Sequence, residues 1–325
     1  MRRTAALFGV LLALVPAVPA AADNSGGRAT YGVRPTGKTA PDGRSTFAYA
    51  ATPGGVFTDQ VEISNPGTKP LTLKVYANDA FTPGTGGFDL LAAGKKSDDA
   101  GTWITVSRSS VQVPARGKVI VPFTLKVPAT ATPGDHSAGI VATLTSIGTD
   151  AKGNKVAVDQ RVGSRVYLRI SGTLEPRLTV EGLTAAYHPS RNPFSSGKTT
   201  LTYRVRNTGN VRLGAHQKVV VKTLWGTRKT ANGVADVPEI LPGDAVDMVA
   251  EVKGALPAIW LTGSVSADPL AQAGDEKLPL SSTTRDHGFW AVSWTLLAIV
   301  GGLLLLVGGG FGFRFWRRRR VTAGA

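Results

Sequence analysis

The sequence predicts an all-β ectodomain, two Ig-like β-sandwiches in tandem, followed by a single C-terminal transmembrane α-helix. Three observations carry this expectation. Apolar and polar residues alternate with period two across residues 45–268, and turn chemistry interrupts the runs roughly every 8–12 residues. The longest uncharged run is Gly288–Phe313, 26 residues. The chain has no cysteine, so each exported domain must hold itself together by core burial rather than by disulfides.

The two ends of the chain set its orientation. Arg2 and Arg3 precede an apolar stretch, Ala5–Val15, too short to span a bilayer comfortably, and small residues follow up to Ala22. Ala20 and Ala22 form an Ala-x-Ala site with cleavage expected after Ala22, which makes 1–22 a signal peptide. The run 288–313 exceeds the roughly 20 apolar residues needed to cross a hydrocarbon core. Trp290 and Trp294 lie near its outer end; Trp316, Arg314, Arg317, Arg318, Arg319 and Arg320 lie at its inner end. Aromatic anchoring and the positive-inside rule place 314–325 in the cytoplasm and Asp23 to about His287 outside, as a single-pass cell-membrane protein.

Within the ectodomain, residues 23–44 read as a linker or a weakly held first strand. A first sandwich is expected over 45–174. Val56–Ser64 alternates and stops at Asn65-Pro66-Gly67, Pro70–Tyr76 restarts the pattern, and further strands are expected at Trp103–Val106, Val111–Pro114, Val119–Val127, Ala138–Leu144, Val156–Val162 and Arg165–Ile170. The connection Ala80–Gly101 is long, and connections of that length tend to be functional or mobile. A second sandwich is expected over 175–268, with strands at Arg177–Val180, Leu201–Arg206, Lys218–Trp225, Ala245–Val252 and Ile259–Ala267. Its turn Asn207-Thr208-Gly209 echoes Asn65-Pro66-Gly67, and each is followed by a hydrophobic restart. Residues 269–287 read as a polar stalk lifting the domains off the membrane.

Of 37 Lys+Arg, seven arginines belong to targeting and topology; the remainder outweigh the 22 Asp+Glu by about eight. A basic exterior favours anionic wall polymers or headgroups, whereas no basic stripe with interleaved aromatics points to nucleic acid. His136, His188, His216 and His287 lack metal-ligand spacing, and no serine-nucleophile elbow, Ser-x-x-Lys or His-Glu-x-x-His motif occurs. Asp98-Asp99 and Asp275-Glu276 are adjacent carboxylates pointing apart, unsuited to glycoside hydrolysis. The expectation is a non-enzymatic protein with no metal and no cofactor.

Several motifs carry a family resemblance. Gly86-Gly87-Phe88-Asp89-Leu90-Leu91, Gly101-Thr102-Trp103-Ile104-Thr105-Val106, Val121-Pro122-Phe123, Thr132-Pro133-Gly134-Asp135-His136 and Arg161–Leu168 resemble the N-terminal, peptidoglycan-binding-type domain of the WxL-interacting protein family, over about Tyr31–Ile170. Asn207–Leu213 and Pro238–Gly243 are similar to the second domain of actinobacterial-type, Gram-positive members. The resemblance implies a pair of Ig-like sandwiches, a membrane anchor, attachment to peptidoglycan or an associated anionic wall polymer, and, in some members, a surface-protein partner bound by the second domain. From their place in these motifs, Phe88, Asp89, Trp103, Asp135, His136 and Arg165 are the expected contacts. The alternative is a membrane-anchored protein–protein assembly scaffold with no glycan binding.

Overall fold

The structure, a computed structural model, describes residues 29–37, 42–149, 153–190, 192, 195–270, 275 and 277–322, with side chains as far as 314. The expected signal peptide with Ala20 and Ala22, and the side chains of Trp316 and Arg317 to Arg320, lie outside the described residues.

The first domain is a sandwich of two sheets. One has the order β1-β3-β8-β6, from Gly32–Thr36 (β1), Val56–Asn65 (β3), Gly117–Lys126 (β8) and Ile104–Val106 (β6). The other runs β2-β10-β9-β4, from Phe47–Ala51 (β2), Lys155–Ile170 (β10), Gly134–Thr149 (β9) and Leu71–Phe81 (β4); Asp89–Leu90 (β5) and Ser110–Val113 (β7) pair with β4. Alternation decides which side chains face inward. In β8, Val121, Phe123 and Leu125 are buried while Pro122, Thr124 and Lys126 face out. Phe47, Ile63, Leu73, Ile140, Leu168 and Ile170 complete the core from both sheets, each contributing about 1.5–3 kcal/mol of transfer free energy.

The second domain repeats the architecture. Leu178–His188 (β11), Gly197–Asn207 (β12) and Ala245–Ala255 (β16) form one sheet. The other has the order β14-β13-β17-β18, from Arg228–Thr230 (β14), Leu213–Thr223 (β13), Ala258–Leu270 (β17) and Thr283–Ala291 (β18), with Val237–Ile240 (β15) also on β13. Leu201, Tyr203, Leu213, Val219, Val252, Leu261 and Phe289 fill the space between the sheets.

The echoed Asn turns are one physical device used twice. Asn65 is buried and its Nδ2 donates to the carbonyls of Lys69 (2.8 Å), Pro114 (3.1 Å) and Val113 (3.2 Å), while its Oδ1 accepts from Gly67 N (3.0 Å). Asn207, also buried, donates to Val211 O (2.7 Å) and Ile240 O (2.9 Å) and accepts from Gly209 N (3.1 Å). In both domains the side chain satisfies backbone groups where a strand ends, which a buried turn needs.

Three elements differ from the sequence reading. Trp103 does not open a strand; it closes a one-turn helix, Ala100–Trp103 (α1), ahead of β6. The stalk expected over 269–287 is not an extended spacer throughout, because its last residues, 283–287, lie in β18, paired with β17 from Thr283↔Ala267 to Ala291↔Ala258. The continuous exposed stretch Thr284–His287 hid this strand, since its buried residues are few; Phe289 and Ala291 supply the burial. The final helix, Trp294–Thr322 (α2), therefore starts at Trp294, six residues later than expected. Its segment Trp294–Arg314, 21 residues of mean hydropathy 2.3, is long and apolar enough to cross a membrane.

Ending the two-domain region at residue 268 removes a core-bearing strand. A version ending at Ser293 should unfold cooperatively, whereas one ending at 268 should lose its second thermal transition or aggregate. Phe289→Ala should cost about 3–5 kcal/mol in urea unfolding.

Candidate functional site

The turn Thr132-Pro133-Gly134-Asp135 of the first domain meets the turn Asn207-Thr208-Gly209-Asn210 of the second. Asp135 N donates to Asn210 O (2.7 Å), and Asn210 Nδ2 donates to Pro133 O (3.0 Å) and Thr173 O (2.9 Å). Gly134 has φ +121°, and a Cβ there would collide with the Asn210 carbonyl, so this approach requires glycine. The Asp135 side chain is 2% exposed. It accepts from Arg169 Nε (2.5 Å) and Nη2 (2.8 Å), and from the backbone N of Arg212 (2.8 Å). Arg169 also donates from Nη1 and Nη2 to Asp275, a fork between two carboxylates. Asp135, expected among the ligand contacts, is thus placed in a clasp that joins the domains.

His136 lies beside this clasp, 11% exposed. Its Nδ1 is 2.7 Å from Asp99 Oδ1 and its Nε2 is 2.9 Å from Thr132 O, and its ring packs against Trp103 at a tilt of 46°, with centroids 4.9 Å apart. Burial opposes charge on the ring, but the hydrogen bonds to Asp99 and Thr132 O outweigh it and raise the pKa. Both ring nitrogens can donate only as the imidazolium. The site residues Trp103 and His136 are brought together; their shared role is to pack the α1 segment against β9.

Phe88, Asp89 and Arg165 gather at a neighbouring position. The Arg165 guanidinium sits 4.6 Å from the Phe88 ring centroid, Phe88 meets Tyr167 edge to face at 5.8 Å, and Arg212 lies 3.9 Å over Tyr167. This alternation of cation and ring continues the interface. Asp89 lies 3.9 Å from Arg161. A groove of about 450 Å³ is lined by Phe88, Asp89, Asp159, Arg161 and Arg165.

The long connection 80–101 is pinned at both ends of its course. Asp79 accepts from the backbone N of Asp98 (2.7 Å), Asp99 (2.9 Å) and Gly101 (2.6 Å), and Asn78 holds the carbonyls of Leu91 (3.1 Å) and Ala92 (3.0 Å). Its first part docks on the second domain, with Thr82 N donating to Asp244 (2.6 Å) and Asp247 N to Gly84 O (2.7 Å). It is a bracket between domains.

A site that the motifs did not indicate lies on the outer face of the β1-β3-β8-β6 sheet. Thr58, Thr124 and Thr105 stand in register across β3, β8 and β6. With Gln60, Ser107 and Lys126 they line a groove of about 520 Å³. Gln60 Oε1, shielded from solvent, has no hydrogen-bond partner among the described residues. Beside it Asp59 is held by Arg44 (2.7 and 3.1 Å) and by the Tyr49 hydroxyl (2.8 Å). Burial pushes the Asp59 carboxyl up, but the hydrogen bonds from Arg44 and Tyr49 prevail and keep it below its ordinary value. The usable signal was the outward set of three alternating strands, which is rich in hydroxyls and amides.

Among the described residues no group of three or more His, Asp or Glu is placed to hold a metal ion.

No family model matches the sequence, and no curated protein matches it. Among solved structures it is similar to a CFA/I fimbrial chaperone–tip adhesin complex (TM-score 0.40, 11% identity, 79% of this chain and 99% of that one) and to the class 5 fimbrial chaperone CfaA (0.38, 11%, 79% and 98%). The Pseudomonas aeruginosa CupB2 chaperone gives 0.31, 10%, 77% and 98%. A likeness at this level says nothing of what this chain binds.

Two outcomes follow from the clasp. Asp135→Ala leaves Arg169 and Arg212 facing each other without their shared counter-charge, and should destabilise the chain by about 3–5 kcal/mol, read by urea unfolding. His136 has a raised folded pKa, so the stability from its contacts is fully present below its unfolded value of about 6.5 and is lost as pH rises through the folded value. The urea midpoint should fall across that window, and Asp99→Asn should flatten the fall.

Proposed function

We propose that this is a non-enzymatic surface protein, anchored by α2, whose first sandwich binds wall peptidoglycan or an associated anionic polymer. The observation that carries the reading is the row Thr58–Thr124–Thr105 with Gln60 and Lys126 beside it. A polymer of sugars and peptide presents hydroxyls, amides and carboxylates along its length. A shallow groove lined by hydroxyls and an ammonium offers complementary partners. The groove lies on the sheet that takes no part in the clasp, so it is open when the domains are joined. Individually weak polar contacts become effective once α2 holds the domain beside the wall, because tethering raises local concentration. The family resemblance over Tyr31–Ile170 favours the same ligand class.

A second reading, a protein-binding scaffold, draws on a different feature. The hairpin of β9 and β10 extends past the sandwich, and Ile147 (77% exposed), Val156 and Val158 stand on it in solvent. Apolar residues on a projecting β-arm suit strand addition or side-chain docking by a protein partner.

The two readings separate in a co-sedimentation experiment with the ectodomain ending at Ser293. Glycan binding predicts retention on insoluble peptidoglycan. The variant Thr58→Glu with Thr124→Glu should weaken retention about five- to a hundredfold, equivalent to losing about 1–3 kcal/mol of hydrogen bonding, while Ile147→Asp should leave it unchanged. No retention, with or without attached polymers and at low and high salt, would sink the glycan reading.

A further inference from the structure

We propose that the helix-proximal end of the second sandwich is a membrane seat: it inserts apolar side chains into the headgroup region of the bilayer that carries α2. The proposal rests on α2 spanning that bilayer.

The register fixes which residues share this end. Thr223, Leu261 and Phe289 are cross-strand neighbours on β13, β17 and β18. Two residues past that row, β13 turns through Leu224-Trp225 and β18 reaches Ala291, so the hairpin tip and the end of β18 are level. Only Val292 and Ser293 separate Ala291 from α2. Two residues span at most about 7 Å, so this end cannot stand off from the membrane surface.

What the end presents fits that position. Leu224, Trp225, Leu256, Ile259, Trp290 and Trp294 are each more than half exposed, Trp225 reaching 77%. Single exposed apolar residues are ordinary, but six on one end, with three tryptophans among them, form an interfacial belt. Trp290 is held edge to face by Trp260, centroids 5.2 Å apart, and Gly288 leaves the room for the Trp260 ring. The charges around the belt are one-sided. Lys222, Arg228 and Lys229 flank the tip, and Lys198 and Lys253 are cross-strand partners at the ends of β12 and β16. Lys229 reaches Gly254, which closes the ring between the two sheets. Glu251, a carboxylate at this end, is paired with Lys198 at 3.0 Å. Apolar tips inside a basic ring match a bilayer with anionic headgroups.

The chain has no cysteine, so single labels are simple to place. The full-length protein would carry one nitroxide on Leu224→Cys, Leu256→Cys, Ile147→Cys or Leu304→Cys, in vesicles of phosphatidylcholine with phosphatidylglycerol. Collisions with oxygen and with a water-soluble nickel chelate are then compared. The seat predicts that labels at 224 and 256 collide with nickel several-fold less than the label at 147, with shielding reduced in Lys222→Glu with Lys253→Glu. Labels at 224 and 256 as open to nickel as the one at 147, with 304 shielded, would overturn the seat while leaving the spanning helix intact. A label at 304 open to nickel would overturn both.

Discussion

Arg169 holds two carboxylates at once, and the relation between the two sandwiches depends on it. Asp135 is its cross-strand neighbour at the start of β9; Asp275 comes from the connection between β17 and β18, on the other domain. A guanidinium presents its donors in a planar fork, so two carboxylates can be satisfied only in a limited set of orientations. Replacing such a buried pair by apolar side chains can leave stability unchanged, so the physical content of the clasp is orientation more than net free energy. Many of the surrounding contacts involve backbone groups, as at Gly134 with Asn210 and Thr82 with Asp244, and Arg212 over Tyr167 adds side-chain packing. They need the domains already in place, and once in place they leave little slack.

This constraint orders the rest of the molecule. The clasp uses the ends of the second domain's strands at Leu178, Asn207, Leu213 and Ala245, while α2 leaves from the opposite end, after Ala291. A strand of 11 residues such as β13 spans about 35 Å. The second sandwich therefore does the spacing that a flexible stalk would do, and does it rigidly. The clasp also leaves the Thr58–Thr124–Thr105 face uncovered. The groove is thereby held at a fixed height and direction relative to the basic, apolar-tipped end from which α2 leaves.

Much of the fold was legible because alternation survives where one face of a strand is buried. Val121-Pro122-Phe123-Thr124-Leu125 states its own orientation, and the turns at Asn65 and Asn207 announce themselves by chemistry. Thr283–Ala291 was not legible as a strand, since Arg285, Asp286 and His287 are all exposed and break the alternation, and the segment merges into the apolar run of α2. The site was less readable than the fold. Motif membership singled out Asp135, His136 and Trp103, and these residues are brought together, but as parts of a packed interface. No local pattern says that the turn at 132–135 meets the turn at 207–210, because the two are about 75 residues apart and joined by non-local geometry. The threonine row is likewise spread over three strands, at 58, 105 and 124. Each residue alone is an ordinary strand residue.

The most direct test is the distance between the domains in solution. Nitroxides on Ile147→Cys and on Val249→Cys, both exposed in the structure, report it by double electron–electron resonance. One narrow distance distribution is expected for the native chain, broadening when Arg169→Ala removes the fork. A distribution already broad in the native chain, or unchanged by Arg169→Ala, would contradict an orientation set by the clasp.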